Sequence, residues 1–331
     1  MSHLDPASPG TDPDDLLDRV AAAVMANPSI QAKREIGLVT EVLGASSWVT
    51  GPGDDGAVVD VDGTKVIACG EALFPPFVAA DPRGAGIAAV LANVNDVAAM
   101  GGEPLGIVDT VVADRDTARR VLEGMRDAAA MYRVPIIGGH LTVRDGPASV
   151  SAFAVGRVDA VLSSTHAAVG QDLVVAACTQ GTMRADFPFF ASFDQRGSRL
   201  ADDVRLVASV ARRGLARAAK DISMAGLVGS LAMLLEWGGL GVCLDLGLLP
   251  APDGVALEAW CNCFPCFGFL LCCEPATTEE CCAVFEEVGL SAARVGTLDD
   301  TGVVRLRLGD RERAVMDLGA TPATGLGGGH D

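Results

Sequence analysis

Apolar positions along the chain change their spacing several times, and each change marks a predicted element. Near the start, Leu16, Leu17, Val20 and Val24 lie at the spacing of one helix face, and Asp12 is placed to cap that helix. The same period continues in later segments. It predicts further helices over residues 31–43, 83–100, 116–132, 203–220, 223–236 and 278–288.

The spacing falls to that of a strand from Ala57 onward. Two apolar runs flank the pair Asp62-Gly63, which is typical of a hairpin with a two-residue turn. Short apolar runs of strand length recur after this hairpin, between the predicted helices. They predict strands over residues 105–112, 135–137, 149–158, 172–177, 241–246, 267–273, 294–298 and 303–308.

These elements form two mixed α/β groups, which is what a chain of 331 residues is long enough to build. Residues 159–170 join the last strand of the first group to the first strand of the second, so they are the predicted linker. We expect a disordered segment over 1–11, a first domain over 12–160, a second over 170–310 and a flexible tail over 322–331.

Charge narrows the range of partners. The chain carries 43 acidic and 25 basic side chains, a formal net charge of −18. This charge disfavours nucleic acid and anionic membrane surfaces, but carboxylates can bind a polyphosphate through divalent cations. The longest nearly apolar stretch, Ile222–Leu235, is too short to span a bilayer, and no export signal is evident at the start. We therefore expect a cytoplasmic protein that does not contact a membrane.

Cysteine usage offers a separate hypothesis. The chain has 10 cysteines, clustered mainly between Cys261 and Cys282. Closely spaced thiolates can bind zinc or an iron–sulfur cluster, which would make this a metal or redox protein. The alternative is that the thiols are reduced core residues, with the run 267–273 a buried strand.

The segment 51–57, with the sequence GPGDDGA, places Asp54 and Asp55 in a glycine-rich loop before a strand. Glycines such as Gly53 let a backbone approach a ligand closely, and neighbouring carboxylates can bind Mg²⁺. A solvated turn is the alternative interpretation.

The segment 93–102 sets Asn93, Asn95 and Asp96 in a strongly apolar helix. Buried side chains of this kind need hydrogen-bond partners or a metal ion. A structural network and a ligand site both remain open, and Asp96 is the functional candidate.

The segment 136–140 places Gly138, Gly139 and His140 at the end of an apolar strand, where α/β sheets often bind ligands. The segment 221–227 resembles a helix start whose free amides suit an anion, with Asp221 as a candidate metal ligand. An ordinary cap by Asp221 or Ser223 is the alternative for this last segment.

In this order and spacing, the four segments resemble the superfamily of aminoimidazole ribonucleotide (AIR) synthase. Thiamine-monophosphate kinase, selenophosphate synthetase and the ATP-dependent hydrogenase maturation factor belong to the same superfamily. The resemblance covers about residues 35–308 and is strongest to the thiamine-monophosphate kinase branch, within it to an AIR-synthase-related bacterial subgroup. It implies an N-terminal domain whose strands form a dimeric β-barrel with a second subunit, and a C-terminal α+β domain.

The resemblance also implies the site residues. ATP would be held through Mg²⁺, with metal ligands Asp54, Asp55, Asp96 and Asp221. The residues expected to contact the nucleotide are Gly53, Asn93, Gly138, Gly139 and Ser223. Glu71 and His140 would face the reacting end.

Three positions depart from the kinase pattern. Glu71 replaces an Asp-Thr pair, His140 replaces the aspartate of a Gly-Gly-Asp segment, and the pair Met224-Ala225 replaces Asp-Gly. These changes affect the acceptor side more than the ATP side. We therefore predict Mg-dependent phosphoryl transfer from ATP to a small-molecule acceptor that the sequence does not identify. The rival hypotheses are a non-catalytic ATP-binding scaffold and the cysteine-cluster protein.

Overall fold

The computed structural model describes residues 13–44, 51 and 53–326. The segment predicted to be disordered, 1–11, lies outside this range. The helices are α1 Pro13–Met25, α2 Pro28–Lys33, α3 Gly37–Leu43, α4 Pro75–Ala80, α5 Pro82–Ala99, α6 Arg115–Tyr132, α7 Phe193–Arg196, α8 Leu200–Arg212, α9 Gly226–Glu236, α10 Leu257–Asn262 and α11 Thr278–Glu286. Short 3-10 helices cover Arg34–Ile36, Ser164–His166 and Gly197–Arg199.

Strands alternate with these helices along most of the chain. They are β1 Ala57–Val61, β2 Thr64–Ala72, β3 Glu103–Ala113, β4 Ile136–Val143, β5 Ser149–Val158, β6 Asp172–Ala177, β7 Thr182–Met183, β8 Phe189–Ala191, β9 Ala218–Asp221, β10 Gly241–Asp245, β11 Phe264–Pro265, β12 Gly268–Cys273, β13 Ser291–Asp299, β14 Val303–Leu308 and β15 Arg311–Asp317. The mixed α/β class is confirmed.

The chain forms two compact units whose boundaries differ from the predicted contiguous domains. The first unit combines the described residues up to Asp54 with Leu162–Gln195 and with residues 215–326. The second unit combines Asp55–Val161 with Arg196–Gly214. The N-terminal helices thus belong with the C-terminal sheet, and α8 belongs with the N-terminal sheet, because their apolar faces are buried there.

The second unit contains an open five-stranded sheet in the order β1-β2-β5-β3-β4. Helices α5 and α6 pack on one face of it, where alternate β5 residues are buried. The other face carries exposed apolar side chains, among them Val59, Val61 and Phe153. The sheet does not close within one chain, and the predicted dimeric barrel stays a prediction.

The first unit contains a seven-stranded sheet in the order β15-β14-β10-β13-β6-β12-β9 and a small three-stranded sheet. Every residue of β6, β9 and β12 is buried, which explains the apolar runs of β6 and β12. Helix α1 packs its buried residues Leu17, Val20 and Val24 into the core of this unit.

Several predicted elements need correction. The helix predicted over 31–43 is interrupted, and Gly37 lies where a Cβ atom would come within 3.3 Å of the Thr324 carbonyl oxygen. The helix predicted over 203–220 ends at Arg212, because Gly214 adopts a positive φ of 67° and the chain then enters β9. The strand predicted over 135–137 extends to Val143 as β4.

Part of the segment predicted to be a flexible tail, 322–331, is held by hydrogen bonds. Thr324 is buried, and its amide and hydroxyl both donate hydrogen bonds to the Glu236 carboxylate, at 2.9 and 2.7 Å. The Gly325 amide donates to the same carboxylate at 3.0 Å. Residues 327–331 lie outside the described range. No helix in the described part of the chain is long and apolar enough to cross a membrane.

Candidate active site

The loop that carries Asp54 is held by a dense set of hydrogen bonds within the first unit. The Ser163 hydroxyl and the Gly51 amide donate to Asp54 Oδ2 at 2.7 and 3.0 Å. The amide and hydroxyl of Ser164 donate to Oδ1 at 2.7 and 2.6 Å. Two donors at each oxygen fill the usual acceptor capacity of a carboxylate. This arrangement favours an anchoring role for Asp54.

Lys220 is a residue that sequence analysis missed. It lies on β9, is buried, and donates from Nζ to the Gly53 carbonyl oxygen at 3.1 Å. Gly53 has a positive φ of 87°, and a Cβ atom there would lie 3.3 Å from the Met233 carbonyl oxygen. The loop conformation therefore depends on glycine and on a buried cation. The position of Lys220, directly before Asp221, was the only available signal.

Asp221 ends β9, is buried, and pairs with Phe269 of β12. The helix predicted to start at Ser223 begins instead at Gly226, whose φ is +68°. The Ser223 amide donates to the Ser230 hydroxyl at 3.1 Å, so this amide is already used within the protein.

Asn93 forms a structural link in the second unit. Its Nδ2 group donates to the carbonyl oxygens of Ala89 and Ala152, at 2.8 and 3.2 Å. Its Oδ1 atom accepts a long contact from the Cys69 thiol at 3.5 Å. These bonds join α5 to the sheet and use both ends of the amide, which favours the structural interpretation for this residue.

Asp55 and Asp96 are brought together in the same unit. A carboxylate oxygen of each lies within 4.8 Å of the other, a spacing that suits a shared cation. Asp96 is buried and Asp55 is partly buried. Burial is the main reason why the pKa of the nearby Cys69 thiol is raised, and the charges of Asp96 and Asp55 raise it further. The two carboxylates therefore act electrostatically on the same thiol.

A row of residues across the sheet brings in a second acidic pair. Glu71 on β2 is opposite Ala152 on β5, which is opposite Asp109 on β3, which is opposite Gly139 on β4. Ala152 is buried on the face covered by helices, and paired residues share a face. Glu71, Asp109 and Gly139 therefore lie on that face. The sequence prediction included Glu71 and Gly139 but missed Asp109.

His140 and Gly138 belong to the opposite face of the same sheet. Their strand partners are Thr110 and Val108, which alternate with the buried Asp109. His140 is exposed and forms a 3.2 Å hydrogen bond between Nε2 and the Thr142 hydroxyl. The prediction that His140 and Glu71 face the same reacting group does not fit this alternation. Successive strand residues point to opposite faces.

The cysteine cluster behaves as part of a core. Cys261, Cys263 and Cys272 are buried in the apolar core of the first unit. Burial raises the pKa of each of these thiols to about 12, which opposes formation of a metal-binding thiolate. Among residues 13–44, 51 and 53–326, no three thiols lie close enough together to share one ion. These observations favour the core interpretation.

Two family models match the chain. The N-terminal domain of AIR synthase related proteins matches residues 53–158, and the C-terminal domain matches residues 183–309. The chain belongs to the AIR synthase-related family. The resemblance inferred from the four segments is thus confirmed, together with the two-domain α/β fold of this family.

The chain is similar in sequence to proteins from several organisms. An uncharacterized protein of Synechocystis sp. is 33% identical over 279 residues, covering 83% of this chain and 87% of the relative. The thiamine-monophosphate kinase of Rhodopirellula baltica is 28% identical over 222 residues, covering 61% of this chain and 66% of the kinase.

Solved structures share the fold at lower identity. AaThiL complexed with AMPPCP and TMP has a TM-score of 0.65 at 19% identity, covering 84% of this chain and 95% of that chain. T. maritima PurL complexed with ATP has a TM-score of 0.68 at 22% identity. The alignment covers 82% of the AIR synthase-related chain but only 46% of that PurL chain.

Proposed function

We propose that this AIR synthase-related protein binds ATP with Mg²⁺ and transfers a phosphoryl group to a small-molecule acceptor. The observation that carries the proposal is the pairing of Asp55 and Asp96 within 4.8 Å in the second unit. Two carboxylates at this spacing suit a divalent ion. The nucleotide complexes of structural relatives support ATP as the second ligand.

The residues divide into ligands and supports. Asp55 and Asp96 would hold Mg²⁺, and Asp221 keeps the same role on the basis of the family resemblance. Asp54 and Lys220 fix the loop around Gly53, so that its backbone keeps one conformation. Bound Mg²⁺ would neutralise phosphate oxygens. The protein's task is then to orient the phosphate chain and the acceptor, as phosphoryl transfer requires. Gly139 and Glu71 lie on the same sheet face as each other and are the residues we assign to the acceptor.

The test is the thermal midpoint with ATP alone, with Mg²⁺ alone and with both. A ligand at 100 times its Kd adds about 2.7 kcal/mol to the free energy of unfolding. We expect this gain only when both ligands are present, and we expect it to vanish in the double variant Asp55→Asn with Asp96→Asn. The matched control is Asp60→Asn with Asp159→Asn, two exposed aspartates of the same unit. An undiminished gain in the first double variant would refute the assignment.

Turnover separates an enzyme from a scaffold. ADP release that depends on an added acceptor would support phosphoryl transfer. ATP binding that never leads to ADP release with any acceptor would instead support the non-catalytic scaffold.

We also propose that two copies pair through the uncovered face of the five-stranded sheet. Val59 and Val61 are each 52% exposed there and Phe153 is 47% exposed, a concentration of apolar surface that favours association. The strands β1 and β4 are the two edges of this open sheet, so a second copy could complete a barrel.

The variant Phe153→Glu tests this pairing. We expect the wild-type chain to have the mass of a dimer by light scattering and the variant that of a monomer. Val288→Glu is the control, since Val288 is 41% exposed but lies outside this sheet. A monomeric wild type, or a dimeric Phe153→Glu variant, would contradict the proposal.

A further inference from the structure

Asp109 is a buried carboxylate that the protein leaves without a side-chain or neighbouring-backbone partner. It is 7% exposed. Within the described residues, its carboxylate receives a hydrogen bond only from its own backbone amide. Burial raises the pKa of this carboxyl group, and no arginine or lysine offsets the effect. A buried carboxylate normally has hydrogen-bond donors around it, because its desolvation is costly.

The residues next to Asp109 on this sheet face are small. A Cβ atom built on Gly139 would lie 2.4 Å from Asp109 Oδ2, so a larger residue there would force the carboxylate to move. On the other side, the row continues through Ala152, whose side chain is a single methyl group, to Glu71. Two acidic side chains therefore flank a floor of minimal side chains on one sheet face.

We do not expect the ligand that pairs with Asp109 to be a metal ion. Asp109 does not belong to any set of three possible metal-binding side chains within reach of one ion in residues 13–44, 51 and 53–326. A metal ion held by Asp109 and Glu71 alone would need waters or phosphate oxygens as its remaining ligands. An ammonium or amidinium group needs only hydrogen-bond acceptors and negative charge, which Asp109 and Glu71 supply.

We propose that Asp109, facing Gly139 and flanked by Glu71, binds a cationic nitrogen group of the acceptor substrate. The description of this ligand as the acceptor rests on the proposed function; the cation site itself does not. Asp109 is then a substrate-binding residue that selects amine-bearing molecules. It takes no part in holding Mg²⁺ or ATP.

The experiment uses the full chain without ATP and a set of small aliphatic and aromatic amines. Each amine is paired with the alcohol in which a hydroxyl replaces the ammonium group. Saturation-transfer NMR detects weak binding of both sets. We expect signals from members of the amine set, none from their alcohols, and at least a tenfold loss of the amine signals in Asp109→Asn. Asp159→Asn, which removes an exposed charge in the same unit, should keep them.

The glycine opposite Asp109 provides a second variant. Gly139→Ala should also remove the amine signals, since its methyl group would collide with the carboxylate. Gly138→Ala should retain them, because nothing lies within 4 Å of a Cβ atom at that position. Equal signals from amines and alcohols, no amine signal in the wild type, or unchanged signals in Asp109→Asn would each overturn the proposal.

A parallel measurement keeps the two proposals apart. The thermal gain from Mg²⁺ and ATP together should be the same in Asp109→Asn as in the wild type. If the wild type shows amine binding but no such gain, the phosphoryl-transfer proposal fails and the cation site stands.

Discussion

Asp54 and Asp109 are aspartates with glycine neighbours, yet the protein treats them in opposite ways. Asp54 accepts four hydrogen bonds from Gly51, Ser163 and Ser164. Asp109 is buried and receives none beyond its own amide in the described structure. A carboxylate with all its acceptor sites filled holds the chain in place, whereas one that is buried without donors costs stability and is available for a ligand. Motif position alone did not distinguish these two roles.

The largest effect should come from removing the saturated carboxylate. Asp54→Ala leaves four donors of the loop without their acceptor, so we expect a loss of about 3 kcal/mol or more in the free energy of unfolding. Urea denaturation measures this loss. Asp60→Ala removes the acceptor of one exposed hydrogen bond, from the Gly63 amide, and should cost about 0.5 kcal/mol. Equal losses in the two variants would remove the basis of the comparison.

A smaller loss of stability is expected when Lys220, whose ammonium group supports the same loop, is replaced. Lys220→Met removes the donor to the Gly53 carbonyl oxygen, so we expect a loss of about 1 kcal/mol by the same measurement. Lys65→Met, at an exposed lysine, serves as the control. An unchanged or increased stability in Lys220→Met would show that the loop does not depend on this bond.

The smallest change in the free energy of unfolding is expected for Asp109→Asn, and it is a gain where the two variants above show losses. Burial raises the pKa of the Asp109 carboxyl group in the folded state, so the folded protein binds the carboxyl proton more tightly than the unfolded chain does. The stability that this proton contributes is lost as the pH rises from about 4, the pKa of an unperturbed aspartate, through the pKa of the folded state. Asp109→Asn lacks this loss. We therefore expect the variant to gain stability relative to the wild type between pH 4 and pH 7, in urea denaturation at several pH values. Identical pH profiles would contradict the burial argument.

Local sequence patterns predicted those elements in which the conformation that the sequence prefers is also the one that the tertiary environment requires. The hairpin turn is one example, since Asp62 and Gly63 both adopt the positive φ that a two-residue turn requires. Strand β9 is a counterexample. Its sequence, AAKD, suits a helix, but pairing with β12 in a buried sheet decides its conformation.

The sequence predicted which residues lie at the site better than it predicted what each of them does. The approach of Asp55 and Asp96 follows from the motif segments, although their metal-binding role stays a prediction. Asp109 could not be found in the same way, because its importance depends on the register between β3 and β4. The same register places His140 on the other face. Pairing between strands that are distant in the chain is set by tertiary structure and leaves no local signal.

The order of synthesis has a consequence for the first unit. Helix α1 packs against β15, and Arg313 closes an ion pair with Asp18 at 2.6 Å. Almost the whole chain is made between these two partners, which takes roughly 15–60 s at ribosomal rates. During that time the apolar stripe of α1 has no partner strand, and the nascent chain exposes it to the cell.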